Sequence, residues 1–134
     1  MQKNSYLITG GTGSFGTHFV ENLIKSKKKI SKLVIFSRDE LKQSLMATKY
    51  PRSKFKFMRF FIGDVRDYER LLAATKDIEN IIHAAALKQV PAAEYNPFEA
   101  IKTNIVGAQN IISAALENGT KKVIALSTDK ACAP

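Results

Sequence analysis

The sequence is poor in cysteine and in long apolar runs. Its single cysteine, Cys132, excludes an internal disulfide and fits a reducing compartment. No apolar stretch approaches the roughly 20 residues that span a bilayer. The first residues, MQKNSYLITGG, lack the apolar segment of a secretory signal peptide. These absences predict a soluble, cytoplasmic protein without a membrane partner.

Acidic residues are also scarce, since 12 Asp and Glu stand against 21 Lys and Arg and give a net charge of +9. The densest basic run, KSKKKISK at 25–32, contains no aromatic residue, and no nucleic-acid-binding motif accompanies it. It lies at the end of a predicted helix, where cations suit the helix dipole. We therefore expect no nucleic-acid partner, and an anionic small ligand accounts for part of the charge. No pattern predicts a metal site.

The chain does contain a regular alternation of apolar β-like runs and amphipathic stretches. Hydrophobic residues make up 45% of its 134 residues, enough for one domain with a core. Strands are predicted at 6–9, 32–37, 55–62, 79–84 and 122–127, and helices at 15–27, 39–49, 67–76 and 97–118. Near-continuous apolar strands indicate a parallel sheet covered on both faces. The predicted class is α/β, a Rossmann-type parallel sheet in a three-layer α/β/α arrangement.

The last predicted helix, 97–118, has the clearest boundary signals. Asn96 can cap it, Pro97 suits its first turn, Glu99 completes a capping-box spacing and Gly119 suits its end. Its predicted apolar face consists of Phe98, Ile101, Ile105, Ala108, Ile112 and Ala115. Asn104 lies beside that face, where a polar side chain needs a partner.

A glycine-rich turn, ITGGTGSFG at 8–16, joins the first predicted strand to the first predicted helix. Gly11, Gly13 and Gly16 fit the pattern G-x-G-x-x-G, while Gly10 with the last two fits the looser T-G-x-x-G-x-x-G. Glycine permits a tight turn and a close approach to a pyrophosphate, which the helix N-terminus receives. A ligand-free turn is the alternative, but the strand before and the helix after favour a dinucleotide site.

The second predicted strand ends in FSRDE at 36–40, where dinucleotide-binding folds contact the adenosine ribose. NAD-binding proteins usually place an acid there, whereas here Ser37 and Arg38 precede Asp39. An arginine can pair with a 2′-phosphate and stack on adenine, which favours NADP over NAD. The alternative is that Arg38 is an ordinary surface residue and Asp39 caps the next helix.

Two later strand ends add candidates. In GDVRD at 63–67, Asp64 follows the third strand, where an adenine amino group can bind, and Asp67 is expected to cap the next helix. In HAAALK at 83–88, three alanines follow the fourth strand and leave room for a ligand to lie against the backbone. We interpret His83 as a hydrogen-bonded core histidine rather than as a catalytic residue.

Six segments together resemble extended short-chain dehydrogenase/reductases over essentially the whole chain: TGGTGSFG, SRDELKQ, GDVRD, HAAALKQVPAAEYNP, KTN and STDKA. More narrowly, they are similar to bacterial UDP-N-acetylglucosamine 4,6-dehydratases of the 5-inverting, pseudaminic acid pathway type. The resemblance implies that NADP⁺ oxidises carbon 4 and that a base takes the carbon-5 proton. The carbon-6 hydroxyl then leaves as water and hydride returns to carbon 6. The product is a 4-keto-6-deoxy sugar nucleotide, and the full-length enzyme is expected to be a homo-oligomer.

The resemblance also implies roles for individual residues. The acid and base steps fall to Thr128, Asp129 and Lys130, with Asp129 as the acid and Lys130 as the base, while Lys88 and Thr128 contact the UDP-sugar. Without the resemblance, Asp129 and Lys130 are better interpreted as a loop ion pair. The residues implied for cofactor binding are Gly10, Gly11, Thr12, Gly13, Ser14, Phe15, Gly16, Ser37, Arg38, Asp39, Glu40, Leu41, Lys42, Asp64, Val65, Ala84, Ala85, Ala86, Lys88, Asn104 and Ser127.

The superfamily's Tyr-x-x-x-Lys motif has no match on a helix after the fifth predicted strand. Tyr50 and Lys54 have the spacing, but Pro51 lies between them, outside any predicted helix. We therefore expect residues 1–134 to be a Rossmann domain truncated after the fifth strand, without a substrate domain, and inactive alone. Two alternatives stay open: a sugar-nucleotide 4-epimerase of the same fold, and a non-catalytic NADP-binding module.

Overall fold

The computed structural model describes residues 4–85 and 97–126, without the side chains of residues 101 and 102. In that part the strands are β1 (Ser5–Thr9), β2 (Lys32–Ser37), β3 (Met58–Ile62), β4 (Asn80–His83) and β5 (Lys122–Ala125). The helices are α1 (Ser14–Lys25), α2 (Glu40–Lys49), α3 (Tyr68–Ala74), α4 (Pro97–Ile101) and α5 (Gly107–Asn118), with a π-helical turn, Lys102–Val106, before α5. None of the helices described there is long and apolar enough to cross a membrane.

Helices cover both faces of the sheet, which confirms the predicted three-layer α/β class. One core layer contains buried side chains from α1, α2 and the sheet: Val20, Leu23, Met46, Ile8 and Ile35. The other contains buried side chains from α3, α5 and the sheet: Leu71, Ala74, Ile111, Leu7 and Phe36. Alternate residues of each central strand therefore enter opposite layers, and the middle of each of these strands is a run of apolar residues.

The order of the parallel strands, β3-β2-β1-β4-β5, places β1 at the centre. The chain winds outward from β1 to β3 and then crosses back to β4 on the other side of β1. In open α/β sheets, ligands bind beyond the carboxyl ends of the strands at such a reversal. The segments that follow the first four strands meet at this edge.

The third strand is shorter than predicted, because it begins at Met58 and not at residue 55. The backbone N–H groups of Lys54 and Phe55 both donate to the carbonyl of Pro51, at 3.0 and 2.8 Å, and that of Met58 donates to Phe55. The ring of Phe55 packs edge-on against Tyr50, with 5.2 Å between centroids. Turn hydrogen bonds and aromatic packing therefore replace strand pairing here. Tyr50 follows α2 and Lys54 lies in the turn, so the two do not share a helix.

The last predicted helix is not one continuous α-helix. A π-helical hydrogen bond spans five residues instead of four, so the helix beyond the π turn is rotated relative to an uninterrupted α-helix. Ile111 is accordingly buried, at 1% exposure, whereas Ile112 is 56% exposed. Phe98 and Ile105 are also exposed, and Ala115 is buried. The predicted apolar face is therefore wrong at Phe98, Ile105 and Ile112.

The residues predicted to mark the ends of helix 97–118 can be compared with the structure one by one. Gly119 ends α5 in the left-handed conformation, with a φ of 69°, which confirms its predicted position. Glu99 forms an ion pair with Arg66, a residue of the loop after β3. Asn96, the predicted cap, lies outside the described residues.

Replacing Ile111 by Ala is expected to lower the free energy of unfolding by about 3 kcal/mol, because the side chain is fully buried between α5 and the sheet. The neighbouring variant Ile112→Ala is expected to change it by less than about 0.5 kcal/mol, because that side chain is exposed. Urea denaturation of both variants, followed by circular dichroism, measures the difference. Equal losses would contradict the rotation of α5.

Candidate dinucleotide-binding site

The turn between β1 and α1 needs glycine at two places. Gly10 has a φ of +64°, and a Cβ on it would lie 3.0 Å from the backbone nitrogen of Ala85, just after β4. Gly16 lies in the first turn of α1, where a Cβ would lie 2.5 Å from the Cα of Gly11. Glycine thus allows the turn to pack against the end of β4 and the helix to pack against the turn. These are the roles expected of a dinucleotide-binding turn.

The N-terminus of α1 differs from those of α2 and α3. Its N-cap is Gly13, which has no side chain, and its first turn contains no acidic residue. In contrast, α2 and α3 are capped by Asp39 and Asp67, which accept hydrogen bonds from the backbone N–H groups of Lys42 and Arg70 at 2.9 and 3.1 Å. The first-turn N–H groups of α1 can therefore receive an external anion, which the helix dipole also favours. The predicted cap at Asp67 is confirmed.

These segments surround a cleft of about 880 Å³ at the carboxyl edge of the sheet. Its size lies within the range typical of small-molecule and cofactor sites. The predicted residues that line it are Gly10, Thr12, Gly13, Ser14, Phe15, Gly16, Ser37, Arg38, Asp39, Lys42, Asp64, Val65, Ala84 and Ala85. Strand ends that are far apart in the sequence thus converge on a single surface.

Three lining residues were not predicted: Phe36, Gly63 and Thr103. The first two could have been found, because Phe36 directly precedes Ser37 and Gly63 follows β3 as Gly10 follows β1. A Cβ on Gly63 would lie 2.6 Å from the ring of Phe36, so glycine allows the two strand ends to pack closely. Thr103 belongs to the π-helical turn, which no sequence signal indicated.

Some predicted site residues do not line the cleft or cannot be placed. The described residues outside the lining are Gly11, Glu40, Leu41 and Asn104. Gly11 packs instead against β2, where a Cβ would lie 2.8 Å from the side chain of Ile35, and Leu41 is 70% exposed on α2. Six others lie outside the described residues, and their roles stay predictions: Ala86, Lys88, Ser127, Thr128, Asp129 and Lys130.

The end of β2 presents a hydroxyl and a guanidinium to the cleft. The side-chain nitrogen of Gln43 donates to the hydroxyl of Ser37 and to the carbonyl of Phe61, each at 3.0 Å. The side chain of Arg38 is 59% exposed beside it. Asp39, the acid nearest to this strand end, is engaged as the cap of α2. A positive charge therefore stands where a ribose-binding carboxylate would be expected in an NAD site.

Asp64 is held by two arginines. Arg66 donates to Oδ2 from Nε and Nη2, at 2.9 and 2.7 Å, and to Oδ1 from its backbone N–H at 2.9 Å. Nη1 of Arg38 lies 3.7 Å from Oδ2. Burial by itself raises the pKa of Asp64, but the hydrogen bonds and charge of Arg66, together with the charge of Arg38, hold it below its usual value. Asp64 is therefore ionised near neutral pH, and Oδ1 keeps a second lone pair for a donor such as an amino group.

Helix α5 fixes the loop that carries Asp64. The side-chain nitrogen of Asn110 donates to the carbonyl of Val65 at 3.0 Å. A Cβ on Gly107 would lie 2.7 Å from Cγ2 of Val65, so the helix backbone approaches the loop closely. Val65 is consequently held between the sheet and α5 at the rim of the cleft.

The strand order, the glycine turn and the uncapped α1 at the reversal of the sheet define a dinucleotide-binding domain of the Rossmann type. The chain belongs to the polysaccharide biosynthesis protein family, whose model matches residues 6–134. It is 60% identical, over 98% of its length, to the inverting UDP-N-acetylglucosamine 4,6-dehydratase of Campylobacter jejuni serotype O:2, of which it covers 38%. The resemblance inferred from the sequence motifs is thereby confirmed.

Other relatives share the same region. The chain is 50% identical, over 96% of its length, to the UDP-glucose 4-epimerase of Rickettsia typhi, of which it covers 37%. A dTDP-glucose 4,6-dehydratase double mutant of Streptomyces venezuelae, solved with NAD bound, aligns with a TM-score of 0.79 and 24% identity over 96% of this chain and 40% of that one. This second likeness shows the fold. The chain thus spans less than half the length of the curated relatives that it matches.

Proposed function

We propose that this chain is the NADP-binding part of a cytoplasmic UDP-N-acetylglucosamine 4,6-dehydratase that inverts carbon 5 and serves surface-polysaccharide or flagellin-glycan synthesis. The 60% identity to the inverting dehydratase of Campylobacter jejuni carries the proposal, since it extends over 98% of the chain. In this proposal the complete enzyme is a homo-oligomer and acts on a UDP-sugar. Residues 1–134 by themselves supply the dinucleotide site and do not dehydrate the sugar.

The cleft fits a nicotinamide dinucleotide. Gly10, Gly13 and Gly16 all line the cleft, so the backbone of the turn borders the space above α1 where a pyrophosphate would lie. The 2′-phosphate of NADP is assigned to Arg38, with Ser37 and Lys42 beside it on the cleft wall. Adenine is assigned to the loop of Asp64 and Val65. When bound, the nicotinamide supplies hydride transfer to and from the sugar.

The acid and base steps are assigned to three residues that follow β5 in the sequence. Thr128 bonds the substrate oxygen, Asp129 protonates the leaving carbon-6 hydroxyl, and Lys130 takes the carbon-5 proton. When hydride returns to carbon 6, a proton returns to carbon 5 on the opposite face, which inverts that centre. These roles require a protonated carboxyl group and a neutral amine, so the complete site must raise one pKa and lower the other. Lys88 is assigned to the substrate, and Asn104 supports the site from the π-helical turn.

The proposal is tested by expressing the complete reading frame that contains these residues and by analysing what the purified protein makes from UDP-N-acetylglucosamine. Mass spectrometry and NMR are expected to show a 4-keto-6-deoxy sugar nucleotide, lighter by one water and inverted at carbon 5. Lys130→Ala is expected to retain carbon-4 oxidation but to lose water release, whereas the exposed-lysine control Lys121→Ala turns over normally. Unchanged dehydration by Lys130→Ala would contradict the assignment of the base. Dehydration by the 134-residue chain alone would contradict its proposed role as the cofactor-binding part.

The second candidate is a sugar-nucleotide 4-epimerase, which the 50% identity to the Rickettsia typhi enzyme favours. An epimerase needs only a hydroxyl at the end of β5, so the acid and base of the STDKA segment would have no chemical task. A product that keeps the oxygen at carbon 6 and differs only at carbon 4 would select the epimerase. If the complete protein binds NADP but transforms no sugar nucleotide, the chain is a non-catalytic NADP-binding module.

A further inference from the structure

The hydroxyl of Thr9 joins three groups at the edge of the cleft. Thr9 ends β1, is fully buried and lies beside His83, the last residue of β4. Its Oγ1 lies 2.7 Å from Nδ1 of His83 and accepts hydrogen bonds from the backbone N–H groups of Ala84 and Ala85, at 3.0 and 3.1 Å. One buried side chain thus links a histidine to two residues of the cleft wall.

The three contacts determine which nitrogen of His83 carries the proton. A hydroxyl offers one hydrogen and two lone pairs. The N–H of Ala85 donates to one lone pair of Oγ1, and the N–H of Ala84, which also donates to the carbonyl of Thr9 at 3.2 Å, donates to the other, so the hydroxyl hydrogen is directed to Nδ1 of His83. Nδ1 therefore accepts, and the ring is neutral with its hydrogen on Nε2.

The surroundings of His83 agree with a neutral ring. Burial lowers its pKa, and among the described residues no ionised side chain is a cause of the shift. The neighbouring strands place Thr9 and Ala125 beside it, and neither residue titrates. A second hydrogen on Nδ1 would leave Oγ1 of Thr9 facing three donors with two lone pairs, so either Ala85 would lose its bond or the N–H of Ala84 would be left with the carbonyl of Thr9 alone.

The two backbone bonds matter because Ala84 and Ala85 form both the cleft wall and the surface on which the glycine turn rests. We propose that neutral His83 is a positioning residue for dinucleotide binding: it accepts the hydrogen of Thr9, and Thr9 in turn holds the Ala84–Ala85 backbone against the glycine turn. Protonation of His83 then weakens dinucleotide binding. This inference rests on the proposed function, because it takes NADP as the occupant of the cleft.

The tautomer can be measured without any ligand. The chain has two histidines, and His18 is exposed, so it serves as an internal control. In a chain labelled with ¹⁵N-histidine, long-range ¹H–¹⁵N correlation near neutral pH is expected to show His83 unprotonated on Nδ1 and protonated on Nε2. The pKa of His83 is also expected to lie below the ordinary value of a histidine, because the ring is buried. A hydrogen on Nδ1 in the neutral ring would overturn the proposal.

Binding of NADP⁺ to variants of the 134-residue chain tests the positioning role. Because the 2′-phosphate also titrates near pH 6, each variant is compared with His18→Gln, which keeps His83. His83→Leu cannot accept from Thr9 and is expected to bind about fivefold more weakly at pH 7.5. His83→Asn offers an acceptor oxygen near the position of Nδ1, so it is expected to recover part of the loss. The wild-type chain is expected to bind NADP⁺ more weakly at pH 5.5 than titration of the phosphate alone explains, and both variants are expected to lose this additional weakening.

The outcomes separate this inference from the proposed function. If His83→Leu and His18→Gln bind NADP⁺ equally at both pH values, the positioning role is overturned while the proposed function stands. If the wild-type chain binds no NADP⁺ at any pH, the proposed function and the positioning role are both overturned. If His83→Leu does not fold, His83→Asn and the tautomer measurement still decide the matter.

Discussion

Gly16→Ala is expected to lower the free energy of unfolding by about 3 kcal/mol or more, and to abolish dinucleotide binding in whatever fraction stays folded. The new Cβ would lie 2.5 Å from Cα and 2.6 Å from the carbonyl oxygen of Gly11, and 2.7 Å from the carbonyl oxygen of Gly10. All three are backbone atoms of the turn, so no side-chain rotation relieves the overlap. Relief requires α1 to move away from the turn, and this separates the helix N-terminus from the site of the pyrophosphate.

Gly119→Ala is the matched control for this variant. Gly119 has a φ of +69°, but a Cβ there meets nothing within 4 Å, and the residue lies at the far end of α5. The strain of a left-handed alanine is expected to cost about 1 kcal/mol and to leave NADP⁺ binding unchanged. Chemical denaturation and calorimetric titration of both variants make the comparison. A Gly16→Ala chain that binds NADP⁺ like Gly119→Ala would contradict the turn geometry.

Arg38→Ala is expected to weaken NADP⁺ binding about 30-fold while it leaves NAD⁺ binding nearly unchanged, because a charge-assisted contact to the 2′-phosphate contributes about 2 kcal/mol. The guanidinium lies on the cleft wall, and its contact with Asp64, at 3.7 Å, is long enough to be exchanged for a phosphate. Asp39, the other charged residue at this strand end, caps α2 through Oδ1 and carries a negative charge, so it does not replace Arg38 as a phosphate contact.

Arg52→Ala is the control for this second variant, since it removes the same charge from an exposed position outside the cleft lining. It is expected to change the affinities for NADP⁺ and NAD⁺ by less than about twofold, because salt screens an exposed charge that does not contact the ligand. If Arg38→Ala and Arg52→Ala weaken NADP⁺ binding equally, the phosphate is held elsewhere. Equal losses for NADP⁺ and NAD⁺ in Arg38→Ala would instead show a contact that both cofactors share.

Features with a local physical cause could be predicted from the sequence. Asp67 caps a helix because its carboxylate reaches an N–H group three residues ahead, and Gly119 ends one because it adopts a positive φ. The glycine turn was recognisable because the strand before it and the helix after it are themselves clear. The apolar run of β2 indicated a strand buried on both faces for the same reason.

Features that depend on distant packing could not be predicted. The start of β3 is set by the contact of Phe55 with Tyr50, and an apolar pattern does not distinguish this contact from strand pairing. The π-helical turn rotates α5 so that Ile111, and not Ile112, enters the core. Both residues are isoleucines at adjacent positions, so the sequence alone does not show which one is buried. The hydrogen bonds that converge on Thr9 likewise require β1 and β4 to be adjacent.

Most of the residues that line the candidate site could therefore be predicted, whereas the hydrogen bonds that hold them in place could not. The strand-end residues that line the cleft follow from the motif positions, whereas the contacts that fix them come from elsewhere in the chain. Gln43 orients the end of β2, Asn110 holds the loop after β3, and Thr9 holds the wall after β4. These contacts fix the positions of the cleft residues to which cofactor binding is assigned.

Calorimetric titration of the wild-type 134-residue chain with NADP⁺ and with NAD⁺ tests the central claim most directly. We expect saturable binding of NADP⁺ at one site, tighter than that of NAD⁺ by about tenfold or more, because the proposal assigns to Arg38 a phosphate that only NADP⁺ carries. Binding of NAD⁺ as tight as that of NADP⁺, or saturable binding of neither, would contradict the account.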